Sequence, residues 1–260
     1  MDLQLAGRRA LVTGGSRGIG KAIAATLIAE GAVVTICARH REAVESAAAE
    51  IGATAIVADT GSDESVRELV ARAADAMGGI DILVNAAATP AGQAPPLSLP
   101  EITAEALLAE VNVKVLGYLR CAQAVAPGMV ERGWGRIISI SGLAARSTGS
   151  TIGSIRNVAV AAMTKNLADE LGRSGVNVTV VHPGLTRTEA TAGVVAARAA
   201  AGGVDTAEIE SRLAGLNSIG RMVNADEIAA VVAFLASPLS VAINGDAIAC
   251  GGGTPGVIHY

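Results

Sequence analysis

Aromatic side chains are almost missing from the sequence: one Trp, two Tyr and one Phe make up 2% of 260 residues. The core must therefore be packed with Ala, Val, Ile and Leu, and no aromatic shelf is on offer for a stacked ligand. Cysteine is also scarce. Cys37, Cys121 and Cys250 are far apart, odd in number and outside any CxxC, which excludes a disulfide framework and a zinc site. Charge is low at 17%, with a net −4 at pH 7 and a pI near 5.5. A nucleic-acid surface needs clustered Lys and Arg, so no nucleic-acid partner is expected. No apolar run is long enough to cross a membrane: Ile228–Ile243 is interrupted by Ser237, Pro238 and Ser240, too short and too broken for a bilayer. Met1–Leu11 lacks a charged start followed by an apolar stretch. A cytoplasmic protein acting on a small molecule is expected.

The chain is, in contrast, rich in small apolar residues. Hydrophobic residues make up 51%, enough for one large core. The 31 glycines follow no G-X-Y period, which excludes a collagen-like chain. Short apolar runs alternate with helical patterns. Strands are predicted at Ala10–Thr13, Val33–Cys37, Thr54–Ala58, Ile82–Ala86, Arg136–Ile140, Asn177–Val181 and Ala247–Cys250. Helices are predicted at Gly20–Glu30, Arg41–Ile51, Asp63–Met77, Ser154–Arg173 and Asp226–Ala236. A long helix is expected over Thr103–Arg132, bent near Gly117 and ending near Pro127 or Gly133. An Ala-rich helix is expected over Glu189–Leu216. The strands are continuously apolar, as in parallel sheets with helices on both faces. No linker or shift in composition divides the chain. The expectation is one doubly wound Rossmann-type α/β domain over residues 1–260, with 184–220 as a lid on the substrate side.

Between the first strand and its helix lies Thr13-Gly14-Gly15-Ser16-Arg17-Gly18-Ile19-Gly20. Glycines tighten such a turn and let the backbone approach a pyrophosphate, while the helix start offers free N–H groups and a positive dipole end. An acidic residue at the end of the second strand would bind the ribose hydroxyls of NAD. That position holds Ala38, followed by Arg39 and His40. A guanidinium can fork onto a 2′-phosphate, and Arg17 adds a second charge, so NADP(H) is expected rather than NAD(H).

The TGxxxGxG spacing resembles the short-chain dehydrogenase/reductase family, and the likeness runs in order through nearly the whole chain. Asp59 follows the third strand. Asn85-Ala86-Ala87-Ala88 stands where the family has NNAG. Asn112 falls at the family's helix asparagine. His182-Pro183-Gly184 with Thr186 and Thr188 resembles the family's PG…T segment, and Ile243-Asn244-Gly245 through Gly252 its C-terminal signature. The resemblance implies a seven-stranded parallel sheet and, commonly, a homotetramer. It implies a cofactor site made of Gly14, Ser16, Arg17, Ile19, Gly20, Arg39, Asp59, Asn85, Val111, Pro183, Gly184, Thr186 and Thr188.

Family members use a Tyr–Lys–Ser–Asn set, with tyrosine as acid/base and YxxxK placing a cation one helical turn away. The only tyrosines here are Tyr118 and Tyr260, and neither begins YxxxK. Aligned from Val158–Lys165, Gly153 stands at the tyrosine position and Asn157 at the lysine position. Asn112 and Ser141 are the remaining catalytic candidates, with Asn157 marking the altered place. Tyr118 is expected to pack, and Arg156 and His182 are secondary candidates. Arg146, Arg187 and Arg212 lie in substrate-side segments where an anionic substrate could meet them. Three readings follow. The first is an NADP(H)-dependent oxidoreductase with an atypical centre, acting on a small carbonyl, alcohol or activated alkene. The second is a silent dinucleotide-binding relative, acting as a sensor or partner subunit. The third is an epimerase or dehydratase relative.

Overall fold

Every strand of the main sheet has apolar residues on both faces, and the fold follows from that. The computed structural model describes residues 1–89 and 96–256. Pro90 and Pro95, part of a Pro-rich loop expected after the fourth strand, and Tyr260 lie outside the described residues. The sheet is built from β1 (Arg9–Thr13), β2 (Val33–Ala38), β3 (Thr54–Val57), β4 (Ile82–Asn85), β5 (Gly135–Ile140), β6 (Val176–Pro183) and β9 (Ala247–Cys250). Its order is β3-β2-β1-β4-β5-β6-β9, and every neighbouring pair is parallel. A two-stranded pairing of β7 (Thr186–Arg187) with β8 (Val223–Asn224) stands apart from it.

Alternating side chains go to opposite faces. Ala10, Val12, Ile82, Val84 and Ile138 pack with Ile23, Leu27, Val44, Ile228 and Val232. These last come from α1 (Gly18–Ala29), α2 (Arg41–Ile51) and α9 (Ala225–Ala236). Leu11, Leu83 and Ile137 go the other way, against Val66, Leu69, Cys121, Val125, Met129 and Ala168. That face is covered by α3 (Asp63–Met77), α5 (Gly117–Glu131) and α6 (Thr151–Leu171). Strand order reverses between β1 and β4, so the crevice beyond their carboxyl ends is where a ligand sits in such sheets.

At the opposite edge, Arg9 Nε donates to Asp81 Oδ2 at 2.8 Å and its Nη2 to Oδ1 at 2.5 Å, with Arg132 3.5 Å from Oδ1. Burial pushes the Asp81 carboxyl up, but the Arg9 hydrogen bonds and charge, with Arg132, outweigh it and hold the pKa below its ordinary value.

Three helical expectations are corrected. The long helix over Thr103–Arg132 is α4 (Ala104–Glu110), a π segment (Val111–Leu116) and α5. It does not stop at Pro127: Pro127 and Gln123 are both exposed, so the carbonyl left without an N–H partner meets water. The Ala-rich stretch is two helices, α7 (Thr191–Gly202) and α8 (Thr206–Ala214). Gly203 at φ +61° ends the first, and the Asp205 carboxylate caps the second by accepting from Ala207 N at 2.9 Å. Helix α6 begins at Thr151 rather than Ser154, because the Ser150 hydroxyl accepts from Gly153 N at 3.1 Å.

Candidate active site

The glycines of the first turn sit where no side chain fits. Gly14 has φ +68°, and a Cβ on it would stand 2.8 Å from the backbone of Ala86 and Ala87. A Cβ on Gly20 would stand 2.3 Å from Gly14 O. Both close approaches lock the start of α1 against β4 at the switch point. Thr13 Oγ1 accepts from Ala86 N at 3.1 Å and Ala87 N at 3.3 Å, tying the same two strand ends. Ser16 and Ile19 are half-buried on the turn. An anionic oxygen already lies on it: Gly18 N donates to Glu189 Oε1 at 2.7 Å. Arg17 and Arg39 are exposed beside the turn, and no described side chain pairs with either guanidinium.

The other expected cofactor residues line the same edge of the sheet. Asn85 is buried and its amide donates to Tyr118 O at 3.4 Å, leaving Oδ1 without a partner. Asp59 is exposed, and its carboxylate accepts from Gly61 N at 2.9 Å. Val111 opens the π segment. Pro183 ends β6, and Gly184 is so close to Gly251 that a Cβ on it would stand 2.7 Å from the Gly251 Cα. Thr186 Oγ1 donates to Gly184 O at 3.0 Å, and Thr188 N donates to Thr191 Oγ1 at 2.8 Å.

The three catalytic candidates are not all brought together. Ser141 is buried past the end of β5, and its hydroxyl donates to the backbone O of Asn157 at 3.2 Å. Asn157 is also buried, with Oδ1 unpartnered. Asn112 is elsewhere: its Nδ2 donates to Gly61 O at 3.2 Å, on the turn after β3. The wider π turn is the physical reason. Gly117 presses on that turn so closely that a Cβ on it would stand 3.0 Å from Thr60 O, and Asn112 faces the same way. The residue of this segment that reaches Ser141 is Lys114. It is 4% exposed, and its Nζ donates to Ser141 O at 2.9 Å. Burial first, and the charge of Arg156 second, bring its pKa down from 10.5 to about 7, with Glu110 pulling the other way.

The surrounding groups are committed. The Tyr118 hydroxyl donates to Ile140 O at 2.9 Å, and burial pushes its pKa far above the ordinary value; it packs, as expected. Arg156 is ion-paired with Glu110, and its Nε has no partner. His182 is buried, and its Nδ1 accepts from Gly142 N at 3.4 Å. Burial, Arg146 and Lys114 lower its pKa to about 4, so the imidazole is neutral. Gly142 is packed closely against the Asn157 amide: a Cβ there would stand 3.1 Å from Asn157 Nδ2. At Gly153 a Cβ would stand 2.7 Å from the Ser150 hydroxyl oxygen. Of the arginines considered for an anionic substrate, Arg187 pairs with Glu210 and Arg212 with Glu208, while Arg146 donates to Ala247 O at 2.9 Å.

Sequence reasoning passed over Lys114, Glu110 and Glu189. Lys114 carried a signal: it is a lone cation inside Val111-Asn112-Val113-Lys114-Val115-Leu116, an otherwise near-apolar run. Glu189 carried none, since an acidic residue near the start of a helical pattern is ordinary. Among the described residues, no helix is long and apolar enough to cross a membrane.

A doubly wound sheet with a glycine turn at its switch point defines a class of nucleotide-binding α/β proteins. Comparison narrows it. Residues 14–254 match the family described as enoyl-(acyl carrier protein) reductase. The chain is 34% identical over 252 residues to the short-chain reductase protein NovJ of Streptomyces niveus, covering 95% of this chain and 93% of that protein. It is 36% identical over 241 residues to a sorbitol dehydrogenase of Cereibacter sphaeroides, covering 91% and 93%. Among solved structures, the L-sorbose reductase of Gluconobacter frateurii, complexed with NADPH and L-sorbose, superposes with a TM-score of 0.90 at 28% identity, covering 99% of this chain and 100% of that one. The chain belongs to the short-chain dehydrogenase/reductase family of oxidoreductases.

Proposed function

We propose that the protein is an NADP(H)-dependent oxidoreductase that moves hydride to or from a small carbonyl, alcohol or activated alkene. One observation carries the choice of nucleotide: two unpaired guanidiniums, Arg17 and Arg39, flank the glycine turn, and the second strand ends in Ala38 rather than a carboxylate. The similar sorbose reductase is an NADPH complex. The turn fits a dinucleotide phosphate, because Gly14 and Gly20 let the backbone close tightly at the start of α1 and Gly18 N–H already takes an anionic oxygen.

In this reading Gly14, Ser16, Ile19 and Gly20 hold the pyrophosphate, and Arg17 and Arg39 hold the 2′-phosphate. Asp59, Asn85 and Val111 flank the adenosine, while Pro183, Gly184, Thr186 and Thr188 flank the nicotinamide. Asn112, on the Gly61 turn, belongs with the adenosine side. Hydride donation or acceptance is the chemistry the bound nicotinamide supplies. Ser141 and Asn157 hold the floor beneath the reacting carbon, and residues 184–220 close over it. The unpartnered Asn157 Oδ1 is an acceptor for a ligand hydroxyl. The apolar residues exposed on α4 and α6, among them Leu108 and Val158, support association of copies into a homotetramer.

Calorimetric titration tests the reading. NADPH is expected to bind in the micromolar range and NADH at least 10-fold more weakly, and Arg39→Ala should weaken NADPH alone by at least 10-fold. No binding of either nucleotide, or equal binding of both, overturns it. Gly153 and Asn157 favour a second reading, a cofactor-binding protein without turnover, which binding without any oxidation of NADPH would support.

A further inference from the structure

The groups beside Ser141 can be sorted by whether they have a proton to give. Reduction of a carbonyl leaves charge on its oxygen, and a donor must neutralise it. The Ser141 hydroxyl is spent on Asn157 O, and the Tyr118 hydroxyl is buried on Ile140 O. His182 is neutral, with Nδ1 occupied by Gly142 N–H. Arg156 is held by Glu110, and a guanidinium does not deprotonate. Asn157 has no acidic proton. Lys114 remains, with three N–H bonds and a single hydrogen bond, to Ser141 O.

We propose that Lys114 is the catalytic acid/base of this centre: a cation delivered from the π segment Val111–Leu116 rather than from α6. The assignment rests on the hydride-transfer reading above. Three observations support it. The π turn carries Lys114 inward while Asn112, two residues earlier, faces Gly61. Its ammonium lies at Ser141, the residue whose hydroxyl binds the Asn157 backbone, so it stands next to the position left without a cation. Asn157, the residue at that position, keeps a buried Oδ1 without a partner beside Ser141, an acceptor free for a substrate hydroxyl. The charged and titratable groups around the amine are Glu110 on α4, Arg156 on α6 and His182 on β6, with Arg146 beyond His182. Burial first, and the charge of Arg156 second, favour the neutral amine against the pull of Glu110, and so a proton that leaves readily.

The step balances simply. As hydride arrives at the carbonyl carbon, the C=O π pair moves onto oxygen and a new O–H bond forms as one N–H bond of Lys114 breaks. Neutral amine and alcohol result, and water returns the proton to the amine before the next turnover. In alcohol oxidation the neutral amine takes the hydroxyl proton.

The test uses the full-length protein with NADPH and two carbonyl probes, 2,3-butanedione and acetoacetyl-coenzyme A. NADPH binding is titrated first, for the native protein, Lys114→Met and Lys114→Arg; then NADPH oxidation is followed from pH 5.5 to 9. Native turnover is expected to fall about tenfold per pH unit above an inflection near pH 7, because reduction needs the ammonium. Lys114→Met and Lys114→Arg should bind NADPH within threefold of the native protein and lose at least 100-fold in turnover. Either variant, if folded, decides the matter, and a merely structural role would leave the inflection in place. Turnover of a variant within threefold of native, an unchanged pH profile, or a native protein that binds NADPH and reduces neither probe overturns the assignment. A native protein that binds no NADPH overturns the functional reading itself.

Discussion

His182 shows at the scale of one residue how the centre depends on pH. Its folded pKa is depressed from 6.5 to about 4 by burial, Arg146 and Lys114. The unfolded chain therefore takes up a proton as pH falls through 6.5, while the folded chain takes it up only near 4. Stability present above pH 6.5 is lost across that window, by up to about 3 kcal/mol at 1.36 kcal/mol per pKa unit. Chemical denaturation at pH 7 and pH 4.5 should show this loss, and His182→Asn should flatten it. An equal slope in the variant would assign the acid sensitivity to other groups. Lys114 has a slope of the same sign in a higher window: its depressed pKa means that stability rises between about pH 7 and 10.5.

Elements were legible in the sequence wherever their signals were local. Helix α3 is legible at Asp63–Met77 because Ser62 or Asp63 can cap its start and Gly78-Gly79 follows its end; in the structure the cap is Ser62, whose hydroxyl accepts from Ser65 N at 3.3 Å, and Gly78 is left-handed at φ +77°. Ser62→Ala should cost about 1 kcal/mol, read as a lower urea midpoint at unchanged slope. The π segment was not legible. Its cause is tertiary, the pressure of Gly117 on Thr60, and a regular 100° step around the axis misplaces Asn112 and Lys114 alike. For the same reason the glycine turn could be read by its motif, whereas the centre around Ser141 could not: Lys114 reaches it across 27 residues of sequence. The split between α7 and α8 hinged on Gly203 and Asp205, turn residues inside a composition that otherwise reads as one helix.

For the whole molecule, the family resemblance implied a seven-stranded parallel sheet, and the structure supplies its order, with β9 closing the far edge beside β6. The helices on one face expose large apolar side chains: Leu108 on α4 is 64% exposed and Val158 on α6 50%. Single exposed apolar residues are ordinary, but two on packed neighbouring helices make a surface that a second copy can cover. Sedimentation should give a species larger than one chain, and Leu108→Glu with Val158→Glu should shift it to the mass of a monomer while NADPH binding persists. A monomer in the native protein would refute this association.

The single tryptophan gives the molecule a built-in optical marker. Trp134 lies just before β5, its ring in contact with the guanidiniums of Arg8, 4.0 Å from its centroid, and Arg136, 4.7 Å from it. It therefore stands at the amino end of a six-residue strand whose carboxyl end leads to Ser141. That separation is about 20 Å at 3.3 Å per residue. Every photon of indole emission comes from this one place, on the side of the sheet away from the glycine turn. Its spectrum reports the stacking of two arginines and the integrity of the sheet's lower edge, and a chromophore arriving at the upper edge can change it only through space.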